Sequence, residues 1–201
     1  MTLKQAILHP ELGIPAGALI LGALIILSVG YWGPVGYSAA YLAGSFLLGF
    51  LGFTLFEYLL HRFLFHYKAK GEKLGKLIFN VHGVHHRHPL DLSKYRTPYY
   101  SRPLIVIVLF LLFRILTGPS VYGWLPGFLC GYAFYLLVHF IVHYCEIPNN
   151  ALRFLWLNHD IHHYLNPRLA YGVSSPLWDW IIGTYPKKAD YVKWKQHPIR
   201  T

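Results

Sequence analysis

The sequence predicts an all-α integral membrane protein with four transmembrane helices and a histidine-rich polar face on one side of the bilayer. Three observations predict it. The 201-residue chain is 55% hydrophobic and only 13% charged, against about a quarter charged in ordinary soluble domains. Its apolar residues gather into four runs separated by polar stretches. Ten of its thirteen histidines form two clustered sets, in polar stretches or at run ends that four crossings would place on a single side. The length suits one domain, taken as 1–201.

Met1–Glu11 reads as a short polar lead forming an interfacial turn, with His9 at no ligand spacing from any other histidine. Glu11 and Pro15 precede the first apolar run and no basic leader opens the chain, so no cleavable signal peptide is expected. The first span, 14–32, is uncharged and nineteen residues long, close to the roughly twenty helical residues that cross a bilayer. Trp32-Gly33-Pro34 ends it. The second span, 38–60, carries one charge, Glu57, and leads straight into His61 and His66. The third, 103–117, is short, with Arg114 able to snorkel to the far surface before the breaker Gly118-Pro119. The fourth, 121–143, carries His139 and His143 at its far end. The polar segments are 67–102 and 144–201.

Charge gives an independent check on this topology. With four spans, the second and fourth end on the same side, and seventeen of the eighteen Lys and Arg residues, all but Arg114, lie there. By the positive-inside rule that face is cytoplasmic. The net charge of +10 therefore points to a membrane surface. The basic residues do not follow a nucleic-acid-binding pattern, and no nucleic acid partner is expected. Aromatic residues at 17% of the chain suit the headgroup layer. Cys130 and Cys145 form no CxxC motif and read as buried structural thiols.

The histidines form two successive sets, each a pair followed by a triplet. The pairs are His61/His66 and His139/His143; the triplets are His82, His85, His86 and His159, His162, His163. Within a triplet the offsets of three and four return to one helical face, so three imidazoles are expected to point one way. Neutral imidazole is the commonest protein metal ligand, and an all-nitrogen set fits Fe, Zn or Cu rather than Mg or Ca. Ten ligands suit two metals with about five each. A structural zinc would take four, usually including thiolates. An open site beside apolar helices suggests redox chemistry on a lipid chain: O2 activation and attack on an unactivated C–H bond, which side chains alone cannot achieve. Glu57 and Asp160 are candidates to accept hydrogen bonds from the distal imidazole nitrogens.

The run Glu57-Tyr58-Leu59-Leu60-His61-Arg62-Phe63-Leu64-Phe65-His66, with His82-Gly83-Val84-His85-His86, resembles the fatty acid hydroxylase/sterol desaturase superfamily. So does His159–His163 followed by Tyr171-Gly172-Val173-Ser174-Ser175-Pro176-Leu177-Trp178-Asp179. The chain is most similar to the catalytic domain of fatty acid 2-hydroxylases, from about Leu55 to Thr184. The resemblance implies four transmembrane helices under a cytosolic helical cap, built from 67–102 and 144–201, that holds a polyhistidine dimetal centre. It implies one metal on His61, His66, His82, His86 and His163, and the other on His85, His139, His143, His159 and His162. It also implies two irons with O2 as co-substrate, zinc being able to replace iron in recombinant preparations; zinc has no redox chemistry. Tyr171, Trp178 and Asp179 are implied to shape an acyl entrance. Many eukaryotic relatives begin with a cytochrome b5 domain that this chain lacks, so a separate donor, a cytochrome b5-like protein or a ferredoxin, is expected on the basic face. Membrane lipid competes for that face.

The expected function is O2-dependent hydroxylation of fatty acyl chains at C2. A desaturase, or a sterol or carotenoid oxygenase, would share the same metal site. A non-catalytic metal-binding or metal-transporting membrane protein is the alternative from another class. A transporter would place its ligands near the bilayer midplane, whereas these gather at helix ends and in the polar segments.

Overall fold

The computed structural model describes residues 1–95 and 101–196, and the parts of the expected cap at 96–100 and 197–201 lie outside the described residues. Among the described residues all regular structure is helical. The chain divides into two compact units. One comprises 7–54 and 97–137; the other comprises 1–6, 55–96 and 138–201.

The expected polar lead is itself helical. Helix α1 spans Leu3–Ile7, opened by reciprocal bonds in which the Thr2 amide donates to Gln5 Oε1 and the Gln5 amide to Thr2 Oγ1. Helix α2, Pro10–Trp32, starts four residues before the predicted span. Pro10 is pre-set for a first helical position, and Glu11 sits in the first turn, where the helix dipole favours an acid. His9 caps this helix, its Nδ1 accepting from the Glu11 amide.

The first unit contains α2, most of α3 (Ala39–Leu59), α7 (Ser101–Thr117) and most of α8 (Val121–Tyr144). Three helical stretches are long and apolar enough to cross a membrane: Pro10–Trp32, Ala39–Phe65 and Pro103–Tyr144, the last of 42 residues. That third stretch is doubled. Gly118 has φ +60° and is followed by Pro119, and the Phe113 and Phe128 ring centroids lie 6.3 Å apart. Fifteen residues of continuous helix would separate them by about 22 Å, so α7 and α8 fold back on one another. Phe113 also meets Trp124 at 4.7 Å.

Helices α3 and α8 approach to backbone contact. A Cβ on Gly49 would lie 1.8 Å from the Trp124 carbonyl oxygen, and one on Gly127 would lie 1.9 Å from that of Phe46. Small residues at such a crossing let apolar helices pack closely where no hydrophobic force drives them together in lipid. Of the two cysteines, expected buried, Cys145 is; Cys130 is half-buried, and neither forms a disulfide among the described residues.

Candidate metal centre

The second unit holds all ten histidines of the two sets. Its elements are the C-terminal ends of α3 and α8, α4 (Glu72–Ile78), α5 (Val84–Arg87), α6 (Leu92–Tyr95), α9 (Arg153–Asp160), α10 (Leu177–Ile182) and α11 (Lys188–Gln196). Three π-helical turns carry ligand candidates: Leu60–Phe65 continues α3, Phe79–Gly83 leads into α5, and Ile161–Leu165 continues α9. Single π turns within α-helices frequently mark functional sites. His61 and His66 are five residues apart, a spacing that an α-helix would splay by roughly 140° and that a π turn, bonded i to i+5, brings into line.

The ten imidazoles divide into two groups of five: His61, His66, His82, His86 and His162; and His85, His139, His143, His159 and His163. In each group one ligating atom per residue lies within 4.8 Å of all the others. Two expectations are corrected here. A triplet does not aim its three rings at one place; its i and i+4 members join one group and its i+3 member joins the other. His162 and His163 also exchange places relative to the division implied by the family resemblance. At offsets of roughly −60° and +40° from the first ring, i+3 and i+4 diverge by about 100°, enough to serve neighbouring sites.

Nitrogen separations match metal shells. In the first group Nε2 of His61 lies 3.1 Å from that of His82 and 3.3 Å from that of His66. His66 is 3.1 Å from His162, and His86 is 2.9 Å from His82. In the second group the steps His85–His139, His139–His143 and His143–His159 are 2.9, 3.2 and 2.7 Å. A metal–nitrogen bond of about 2.1 Å puts donors at right angles about 3.0 Å apart.

The tautomers fit as well. His61 Nδ1–H donates to the Tyr171 carbonyl at 2.6 Å, and His162 Nδ1–H donates to the Leu169 carbonyl at 2.7 Å. Each bond leaves Nε2 as a bare lone pair directed at its group, the role such partners play in metal sites. Converging lone pairs repel unless a cation lies between them. Burial, with neighbouring imidazoles adding repulsion for most, holds His82, His159, His162 and His163 well below the usual imidazole range. It holds His86 at about 3 and His85 at about 4. All six rings are therefore neutral at pH 7, as metal ligation requires. Both ring nitrogens of His163 are buried without a hydrogen-bond partner, as suits a ring reserved for a metal. The residues present fit two metal ions.

The remaining sequence candidates have the following partners. Glu57 meets no imidazole among the described residues. Its Oε1 accepts from the Val173 and Ser174 amides at 2.7 and 2.9 Å, and Oε2 accepts from the Ser174 hydroxyl. Asp160 Oδ2 accepts from Trp194 Nε1 at 3.3 Å. Asp179, 1% exposed, faces backbone rather than an entrance: Oδ1 accepts from the Tyr171 amide and Thr184 Oγ1, and Oδ2 from the Gly172 amide. Trp178 is half-buried on α10. The Tyr171 ring borders the first group, 5.6 Å from His61 and 5.5 Å from His162. Sequence reasoning missed Thr184, whose Oγ1 also bonds Tyr58 OH at 3.0 Å. It missed Gly172 as well, where a Cβ would lie 2.2 Å from the Ser175 carbonyl oxygen.

Comparison with known proteins agrees with this geometry. The fatty acid hydroxylase family profile matches residues 46–184. A dihydroceramide fatty acyl 2-hydroxylase of Arabidopsis thaliana is 34% identical over 142 residues, covering 69% of this chain and 59% of that protein. The fatty acid 2-hydroxylase of Rattus norvegicus is 34% identical over 152 residues, 73% of this chain and 41% of its own. A ceramide very long chain fatty acid hydroxylase of Saccharomyces cerevisiae is 36% identical over 148 residues, 70% and 37% respectively. This chain thus spans 37 to 59% of the length of these relatives. The solved structure of full-length scs7p, in which only the hydroxylase domain is visible, superposes with a TM-score of 0.73 at 31% identity, covering 88% of this chain and 67% of that one. The matched segment runs from within α3 to Thr184 and contains both histidine groups, Glu57 and Asp179; the chain belongs to the fatty acid hydroxylase family.

Proposed function

We propose that this chain is a membrane-bound, O2-dependent di-iron hydroxylase of fatty acyl chains, acting at C2, with the ten histidines as its metal ligands. One observation carries the reading: two adjacent five-nitrogen groups, spaced as metal shells, in a chain of this family. The named relatives act on fatty acyl or ceramide lipids. The donor set is all nitrogen, and inserting oxygen into a C–H bond requires a redox-active metal, which favours iron over zinc. When bound, two irons would supply the one-electron redox chemistry and oxygen activation that no side chain offers, with the reducing electrons delivered by a separate donor.

The protein's own residues do the rest. The Tyr171 and Leu169 carbonyls hold His61 and His162 in one tautomer and aim their lone pairs. The aromatic face of Tyr171 offers an apolar wall against the first group, suited to holding an acyl chain in place, so regioselectivity comes from positioning. The doubling of Pro103–Tyr144 supports counting α7 and α8 as separate crossings, four in all. With four crossings the ends of α3 and α8 and most of the basic residues share one side, which the positive-inside rule makes cytoplasmic. Electrons then come from a separate donor, a cytochrome b5-like protein or a ferredoxin, docking on that basic face.

Lipid mass spectrometry tests the proposal after expression in a host without hydroxylated lipids, with iron and a donor supplied, beside a His85→Ala, His162→Ala control. The expected product is heavier by one oxygen atom, fragments as a C2 alcohol and is absent in the control. Loss of two hydrogens instead would make the protein a desaturase. An unchanged lipid profile with both irons bound would refute the hydroxylase reading.

A further inference from the structure

Four consecutive backbone amides, Tyr171 to Ser174, are taken by two buried carboxylates. Asp179 receives Tyr171 at 2.9 Å and Gly172 at 2.8 Å. Glu57, on α3, receives Val173 at 2.7 Å and Ser174 at 2.9 Å. The two carboxylates are 1% and 6% exposed. Burying such charges is costly, and fold stability alone rarely repays it. The segment they hold delivers a defined output, the Tyr171 carbonyl on His61 Nδ1 at 2.6 Å.

The geometry closes into a ring. Thr184 Oγ1 donates to Asp179 at 2.7 Å and lies 3.0 Å from Tyr58 OH, which accepts from Arg62 Nη1 at 2.6 Å. Arg62 is the chain neighbour of His61, so the network begins at the His61 ring and ends at the adjoining residue. Gly172 is needed for it to close, because a Cβ there would stand 2.8 Å from Asp179 Oδ2. In the second group, Nδ1 of His159 and of His163 has no hydrogen-bond partner among the described residues.

We propose that Asp179 and Glu57 are positioning residues for the metal of the first group only, clamping 171–174 so that the Tyr171 carbonyl fixes the tautomer and ring plane of His61. This rests on the reading of the ten histidines as two metal sites, but not on the substrate. Partners that orient a ligating histidine typically account for 10- to 100-fold in metal affinity.

The test is a chelator titration of the full-length protein in detergent, with metal counted by mass spectrometry. Asp179→Asn and Glu57→Gln keep shape but place an NH2 or a weaker acceptor against the amides. Each should weaken one metal about 10- to 100-fold and leave the other at its wild-type affinity. Combined with His86→Ala, which empties the same site, Asp179→Asn should leave the remaining metal as tight as before. Combined with His85→Ala, it should leave the protein with only a weakly held metal. A purely structural role would loosen both metals alike, and that result, or no change in either, would overturn the proposal. Should Asp179→Asn not fold, Thr184→Val must show the same one-site pattern in milder form, and equal loss or none there overturns it too. Wild type holding fewer than two metals would refute the two-site reading instead.

Discussion

Replacing His85 and His86 one at a time should remove different metals, although the two residues are adjacent in sequence. His86 Nε2 stands 2.9 Å from that of His82, in the first group, and His85 Nε2 stands 2.9 Å from that of His139, in the second. The same contrast separates His162 from His163. A four-ligand structural zinc is held by about 10–16 kcal/mol, so one ligand is worth about 3 kcal/mol, or about two decades of affinity. At a metal-buffer concentration between the intact and the weakened affinity, each single alanine variant should retain one metal per chain. Pairs of variants then assign membership without any site-specific signal. His86→Ala with His162→Ala should still retain one metal, because both deplete the first group. His86→Ala with His163→Ala should retain none. Elemental analysis after gel filtration gives the count; the His86 and His163 rings stack at 4.1 Å, close enough for the two sites to couple, so the pattern across the pairs, rather than the exact affinities, carries the assignment. If the His86/His162 pair lost both metals while the His86/His163 pair kept one, the assignment of the triplets argued here would be wrong.

Three further outcomes follow from the same structure. Gly127→Ala puts a Cβ 1.9 Å from the Phe46 carbonyl oxygen, so α3 and α8 must part; overpacking costs about 1–3 kcal/mol, a fall of several degrees in detergent-solubilised Tm, whereas Gly52→Ala, with nothing within 4 Å, should leave it unchanged. The metal-free protein should lose stability on acidification. The imidazole pKa values, about 3 for His86 and 4 for His85, lie below the unfolded value, so the unfolded chain takes up protons first. The stability of the neutral histidines is complete above about pH 6.5 and declines toward pH 3–4, by up to about 1.4 kcal/mol per pH unit for each group; an unfolding midpoint equal at pH 7 and pH 5 would contradict this. Finally, chelator-stripped protein refilled with zinc should be stable but should turn over no lipid, and iron should restore turnover; a zinc form active in the lipid assay would refute redox chemistry at the site.

Much of this was legible in the sequence because it follows from periodicity and spacing. The apolar run 38–60 became α3 to within a residue at each end, and 14–32 lies inside α2, which starts four residues earlier, since length and absence of charge determine where a helix can lie in lipid. Gly118-Pro119 marked the reversal between α7 and α8 correctly. The ten histidines were identifiable because no other feature accounts for two pair-and-triplet sets. What the sequence concealed was local geometry. No residue pattern announces a π turn, so the sequence does not show that the five-residue step from His61 to His66 brings both rings into one group; Leu60–Phe65 is π-helical. Glu57 was read as a partner for distal imidazole nitrogens and Asp179 as part of an acyl entrance, but the backbone amides they accept from lie more than a hundred residues away in one case and seven or eight in the other. Backbone partners leave no trace in side-chain identity. Gly172 is the exception, a glycine whose need becomes plain only beside Asp179.

The division of the triplets explains why the chain carries two copies of one pattern. His61 and His66, with His82 and His86, give four nitrogens to the first group; His139 and His143, with His159 and His163, give four to the second. Each group is completed by the i+3 histidine of the other triplet, His162 for the first and His85 for the second. Neither pair-and-triplet set can complete a five-nitrogen shell alone, because helical geometry turns its middle histidine about 100° away from the last. Each set therefore lends its odd ligand to the other, and the two groups are forced to lie side by side. Adjacency of the two groups is thus a consequence of the HxxHH spacing itself. A one-residue shift, moving His85 to position 84 while keeping His82 and His86, would cost the second group its fifth nitrogen and leave the first intact.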